Sequence, residues 1–313
     1  MSLQHHFHEL HARLTGTVLG SELPSRLLVT ALVADGHALI EGAPGIGKTT
    51  LAQCLADSVA GSFRRLQFTP DLLPADVTGY SIYHQGTGEF EFIPGPVFCN
   101  VLLADEINRS GPRIQSALLE CMNEGQVSVD GVTRHLEPPF FVVATQNDLY
   151  AAGTFPLPEP QLDRFLLSVP MSLPPRETQI QILGHHLRAG AAGSDAPQQA
   201  PLLSLDQVRA AQREAKRVEV QTNMQRYLVE VAESVRSSSE LRGSVSARAV
   251  LALMRAAQAM AWLEGRTSVY PDDVKGIAPY VLRHRAASSE FAGLDSQSAG
   301  GIIHRLIDEV PVP

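Results

Sequence analysis

The stretch Gly42-Ala43-Pro44-Gly45-Ile46-Gly47-Lys48-Thr49 constrains this chain more than any other. It matches G-x-x-x-x-G-K-[ST], and its flanks supply the strand and helix that the pattern needs. Ahead of it, Ala38-Leu39-Ile40 is a short apolar run readable as a buried strand. Behind it, Leu51, Leu55 and Val59 recur every four residues beside Ala52 and Ala56, which predicts one face of a helix. Glycines let the backbone curl until several N–H groups point at one phosphate. The N-terminal end of the following helix adds positive potential. Lys48 then neutralises β- and γ-phosphates, and Thr49 offers its hydroxyl to Mg²⁺. A turn that binds nothing has no need of Lys-Thr at this spacing. The residues Gly42 to Thr50 therefore predict a nucleoside triphosphate site that takes Mg²⁺.

A second signature follows at a suitable distance. The apolar run Val101-Leu102-Leu103-Ala104 ends in Asp105-Glu106. Asp105 is placed to hold Mg²⁺, directly or through water, and Glu106 to orient and polarise an attacking water. A third apolar run, Phe140 to Thr145, ends in Gln146-Asn147. Polar groups at the carboxyl end of a parallel strand sit on the rim where ligands bind, so Asn147 could hold the water or the γ-phosphate. It could also cap a loop.

Other segments fill in the architecture. A helix is expected from Gly20 to about Ala34, a second strand at Arg65–Phe68, and a helix at Arg113–Glu124. A further strand is expected over Phe165–Met171. Between the first two signatures, Ser81–His84 and Gly88–Ile93 read as two arms of a hairpin, and Val127–Val132 as another. The first hairpin carries Phe90, Phe92 and Ile93, and reads equally as a partner contact or a packed flap. Pro174-Pro175 marks a composition break, so domains are expected at 1–172 and 173–313. The second part reads as helical: Glu177–Arg188 with Ile180, Leu183 and Leu187 on one face, then a loose loop over 189–201. Ser204–Gln207 and Thr222–Gln225 have capping-box spacing. Ser246–Trp262, Pro271–Arg283 and a short segment from Gly300 complete the helices. The fold class is α/β, a doubly wound parallel sheet followed by an all-helical domain.

Composition narrows the function. Asp and Glu outnumber Lys and Arg by 33 to 25, giving a net charge of −8. An acidic chain lacks the basic footprint of a sequence-independent nucleic-acid motor. The three cysteines, Cys54, Cys99 and Cys121, are scattered and read as buried free thiols of a reducing compartment. No apolar run is long enough to span a bilayer and no secretory leader opens the chain, so a cytoplasmic location is expected. His5, His6, His8 and His11 read as a polar helix face rather than a metal cluster.

The stretches "EGAPGIGKTTLA", "QFTPDLLPADVTGY", "GEFEFIPGPVF", "LLADEINRSGPRIQSALLECMNEGQVSVDG", "VVATQND", "FPLPEPQLDRFLL" and "VLRHR" together resemble the MoxR family of AAA+ ATPases, from about residue 16 to the end. That resemblance implies an αβα nucleotide domain, an all-helical lid, and a homo-oligomeric ring, usually a hexamer, hydrolysing ATP between subunits. It assigns Lys48 and Thr49 to Walker A, Asp105 and Glu106 to Walker B, and Asn147 to sensor 1. Arg164 in "LDRF" matches the arginine finger, although an in-chain salt bridge would also explain it. Arg248 resembles the sensor 2 arginine, or an ordinary arginine early in a helix. The chain departs from the common family pattern at Ser21, at Asp148 to Ala152, and at Ala247. The resemblance also implies a chaperone-like remodeller or maturation factor, with a client protein and a partner carrying a von Willebrand factor A domain. A nucleotide-gated scaffold with little turnover is the alternative.

Overall fold

The computed structural model describes residues 2–146, 153–192, 200–243, 245–288 and 296–313. Five strands form one sheet: β1 (Ala38–Glu41), β2 (Phe63–Gln67), β3 (Val101–Asp105), β4 (Phe141–Gln146) and β5 (Leu167–Pro170). All pair in parallel, in the order β5-β1-β4-β3-β2. The apolar runs are buried because the sheet is covered on both faces. Alternation along each strand divides them between the two covers. Ile40, Leu103 and Val143 enter one core, while Leu39, Leu102 and Val142 enter the other.

Helices α1 (Leu3–Thr17), α2 (Glu22–Val33) and α3 (Lys48–Asp57) supply the first cover, and α4 (Pro112–Glu124) the second. The helices that follow are α5 (Arg176–Ala192), α6 (Leu205–Ala215), α7 (Thr222–Ser237), α8 (Ala247–Leu263), α9 (Pro271–Leu282) and α10 (Ser296–Glu309). Those from α6 to α10 form a helical lid whose apolar side is continuous with α1, α2 and α3, so one core joins lid and sheet. Phe7 packs edge-on against Trp262 with ring centroids 5.5 Å apart. The N-terminal histidines lie on α1: His5 and His6 approach Glu9, and His8 and His11 pair with the carbonyls of Leu263 and Glu22. No helix among the described residues is long and apolar enough to cross a membrane.

Several boundaries differ from expectation for physical reasons. Val59 is not on the helix after the glycine-rich turn. The Ser58 hydroxyl turns back to the Cys54 carbonyl at 2.7 Å, and Val59 pairs with Leu203 as a strand. The second strand starts at Phe63 rather than Arg65, and the fifth is limited to Leu167–Pro170. Ser204 does form a capping box with Gln207, but Thr222 lies inside its helix, whose N-cap is Gln221. The helix does not stop at Arg188, because the alanine-rich stretch continues α5 to Ala192; residues 193–199 of the expected loop lie outside those described. The α5 face bearing Ile180, Leu183 and Leu187 is exposed rather than packed. Cys99 and Cys121 are buried free thiols, each pushed up to about 12 mainly by desolvation, whereas Cys54 is half-buried.

Both hairpins form. Gly79–His84 pairs with Glu89–Pro94, and Gln126–Val129 with Val132–His135. The second turns through Asp130 and Gly131, both at positive φ, as a tight Asp-Gly hairpin requires.

Candidate nucleotide site at the sheet rim

Parallel register sets the site. Glu41 of β1 lies beside Gln146 of β4, and Gln67 of β2 beside Asp105 of β3. The carboxyl ends of four strands therefore meet on one rim, at the point where the chain order reverses. The glycine-rich turn leaves β1 there and runs straight into α3. A cavity of about 850 Å³ opens over it, lined on one side by Gly45 to Thr50 and on the other by Leu19, Met171 and Leu183. Ser21 also lines it, with its hydroxyl 2.5 Å from the Val18 carbonyl.

Two glycines in this turn are fixed by geometry. Gly47 caps α3 at φ 92 and Gly42 sits at φ 155. A Cβ on Gly42 would lie 2.2 Å from the Met171 carbonyl oxygen. The close passage of turn against β5 thus requires glycine.

Lys48 is buried, and its ammonium donates to the carbonyls of Gly42, of Ala43 at 3.2 Å and of Gln146 at 3.3 Å. Those bonds fold the cation under the turn at the mouth of α3. Thr49 Oγ1 lies 3.3 Å from Asp105 Oδ2 and 3.4 Å from Oδ1. Asp105 is buried and also accepts the Thr145 hydroxyl at 2.6 Å. The same Thr145 oxygen accepts the Glu106 backbone N–H at 2.9 Å. One buried hydroxyl therefore locks the two acidic residues together. Glu106 is held in the left-handed region at φ 57, a conformation costly for a residue with a side chain. Its carboxylate accepts from Gln67 Nε2 at 3.1 Å and from Arg109 Nη1 at 3.0 Å.

A hydroxyl facing a carboxylate is the hard-oxygen donor set that Mg²⁺ takes. Thr49 and Asp105 fit that ion, and Arg65 shares the carboxylate, with Nη2 2.6 Å from Asp105 Oδ2. Arg65, Gln67, Arg109 and Thr145 escaped sequence reasoning. Arg65 and Gln67 lie near the end of the second strand, Arg109 in the turn after β3 and Thr145 on β4, and only the strand order β4-β3-β2 reveals whom they face.

The remaining candidates lie elsewhere. Asn147 falls outside the described residues. Arg164 is half-buried in the turn between Leu162 and Leu167, and makes no ion pair among the described residues. It does not line the cavity, and neither does Arg248. Arg248 projects from the first turn of α8, more than half exposed, with Nη1 4.0 Å from Asp163 Oδ2. Asp163 instead pairs closely with Arg285, at 2.7 Å. Burial pulls the Arg285 guanidinium below its ordinary range, opposed by that carboxylate.

The chain matches two family descriptions, the ATPase family associated with various cellular activities (AAA) over residues 37–167 and the AAA lid domain over 233–305. It is 39% identical to the chaperone MoxR1 of Mycobacterium tuberculosis, over 93% of this chain and 78% of that protein. It is 43% identical to the uncharacterized protein YeaC of Bacillus subtilis, over 92% and 88% of the two. It is 31% identical to the protein MoxR of Paracoccus denitrificans, over 98% and 96%. A crystal structure from Cytophaga hutchinsonii, provisionally assigned as an ATPase, superposes with a TM-score of 0.84 at 33% identity, covering 99% of this chain and 96% of that one.

Proposed function

We propose that this chain, which belongs to the MoxR family of AAA+ ATPases, hydrolyses ATP at a site completed by a neighbouring subunit and uses the cycle to remodel a client protein. The observation that carries the reading is the linked set Thr49–Asp105–Thr145–Glu106 on the rim where Lys48 emerges.

The chemistry follows from these positions. Backbone N–H groups of the glycine-rich turn and the end of α3 receive the phosphates, and Lys48 offsets their charge. Thr49 and Asp105 are the residues that would hold Mg²⁺, which supplies charge neutralisation on the phosphate oxygens when bound. Glu106 orients the attacking water and takes up its proton. Asn147 helps hold that water or the γ-phosphate. Arg164 of the adjacent subunit stabilises the charge that develops in transfer, and Arg248 couples the lid to the γ-phosphate. Arg164's freedom from ion pairs among the described residues supports a partner outside its own chain. So does the apolar, exposed face of α5 beside the cavity, with Leu183 and Leu187 65% and 78% exposed.

The assembly is a ring, read as a hexamer, working in the cytoplasm with a client and a protein bearing a von Willebrand factor A domain. The boundary between nucleotide core and lid falls at residues 172–173. One observation favours a second reading, a scaffold with slow basal turnover. Gln67 and Arg109 both occupy the Glu106 carboxylate, so hydrolysis waits on a partner that releases it.

Replacing Glu106 with Gln tests the proposal. Turnover should fall by at least ~10²-fold, the usual worth of a positioned base, with nucleotide affinity retained. Full turnover in this variant would remove Glu106 from the mechanism.

A further inference from the structure

The lid carries three consecutive basic residues, Arg283, His284 and Arg285, in a single 3-10 turn after α9, and all three are buried. A buried guanidinium is costly unless every donor is engaged. Arg285 meets that demand. Its Nε donates to Asp163 Oδ1 at 2.7 Å, and its Nη1 to the carbonyls of Val281 and of Leu166, the latter at 3.2 Å. Its Nη2 donates to the carbonyls of Asp163 at 3.3 Å and Phe165 at 2.7 Å. Four of these acceptors bracket Arg164 on both sides, while the Arg164 side chain itself makes no ion pair among the described residues.

The same turn reaches the nucleotide strand. Arg283 Nε lies 3.7 Å from Glu41 Oε2, one residue before the glycine-rich turn. His284 Nε2 donates to the Phe165 carbonyl at 3.2 Å. At the N-cap of α8, Ser246 Oγ donates to the second oxygen of Asp163 at 3.3 Å. Lid residues thus grip both the entry to one subunit's nucleotide site and the backbone that presents Arg164.

We infer that Arg285 is a positioning residue for Arg164: it fixes the Asp163–Leu166 turn so that Arg164 is held out towards the neighbouring subunit's nucleotide. This deepens, and rests on, the reading of Arg164 as an arginine finger. Arg285 cannot be the finger, since its side chain is 2% exposed. Lysine would not replace it, because three donors on one nitrogen cannot span four backbone and carboxylate acceptors.

Mixing experiments on the full-length chain separate the roles. Arg285→Lys should lose on the order of 10²-fold in turnover, as a misplacement near 1 Å does, with nucleotide affinity unchanged. Each variant is then mixed with excess Lys48→Ala subunits, which lack a working site but keep an intact finger. Turnover per Arg285→Lys subunit should recover, because each active site now faces a well-held Arg164. Asp163→Asn should behave alike, and carries the test if Arg285→Lys does not fold. Arg164→Ala, mixed in the same way, is the reference. Recovery of Arg164→Ala without recovery of the other two would overturn the inference and leave the finger reading standing. No recovery of Arg164→Ala would overturn the finger reading, and the inference with it.

Discussion

The Arg65 guanidinium lies 2.6 Å from the Asp105 carboxylate, on the oxygen that also faces Thr49. A cation there competes electrostatically with a second cation. Two charges 4 Å apart interact by about 4 kcal/mol at an effective dielectric of 20. Arg65 is 48% exposed, which discounts this to ~1 kcal/mol. Arg65→Ala should therefore lower the Mg²⁺ concentration for half-maximal binding of a fluorescent nucleotide by about fivefold. A requirement that stays put or rises would mean that Arg65 serves the phosphates instead.

The contact of Gly42 with β5 makes a sharp stability prediction. Gly42→Ala places a Cβ 2.2 Å from the Met171 carbonyl at a backbone angle of 155°. Strain of this kind costs about 1–3 kcal/mol, and nucleotide affinity should fall with it. Gly86, on the hairpin turn with open space around it, is the control. Gly86→Ala should stay within ~0.5 kcal/mol in urea unfolding. Equal effects at the two positions would argue against a turn braced on β5.

Acid should weaken the fold through two histidines. His37 accepts the Val142 N–H on Nδ1 at 3.1 Å and donates from Nε2 to the Met122 carbonyl at 3.0 Å. Protonation would turn Nδ1 into a donor facing a donor. Burial pushes its pKa below the ordinary 6.5. His284 is pushed well below, by burial first and then by Arg285. Both pKa values are depressed on folding, so the unfolded chain binds more protons as pH drops beneath 6.5. Stability should be level above neutrality and decline from there towards each folded value, each histidine adding at most about 1.4 kcal/mol per pH unit. His37→Gln should flatten that decline in urea midpoints taken at successive pH values. A slope that His37→Gln does not alter would exclude its part.

The first hairpin presents aromatic surface. Phe90 is 74% exposed and packs at a tilt against Tyr83 across the strands, ring centroids 5.1 Å apart. Phe90→Ala should leave stability within ~0.5 kcal/mol and basal turnover intact, and weaken stimulation by a client or partner. Unchanged stimulation would make the hairpin a flap with no contact role.

What could be read from sequence was what is local. The turn at Gly42 to Thr49 carries its chemistry in consecutive residues, and Asp105-Glu106 ends a strand whose apolar run is self-evident. Four of the five strands were legible because buried parallel strands are nearly continuous apolar runs, whereas the edge strand Phe63–Gln67 is mostly polar and exposed and only its second part was read. Arg65 and Thr145 were not, because their roles depend on which strand lies beside which, and register is a tertiary property. Val59 kept the helical period yet left the helix to pair with Leu203, a partner more than 140 residues away along the chain. Arg285 stood in a recognisable motif, but nothing in "VLRHR" says that its donors end at Asp163 and Phe165.

The most direct test of the shared site is ATP turnover per subunit across a protein concentration series, for wild type and Arg164→Ala, with particle mass determined alongside. Specific activity should climb as oligomers assemble. Arg164→Ala should assemble equally and stay at least ~10³-fold slower, the range set by such fingers elsewhere. A rate independent of concentration, delivered by monomers and untouched by Arg164→Ala, would contradict the account.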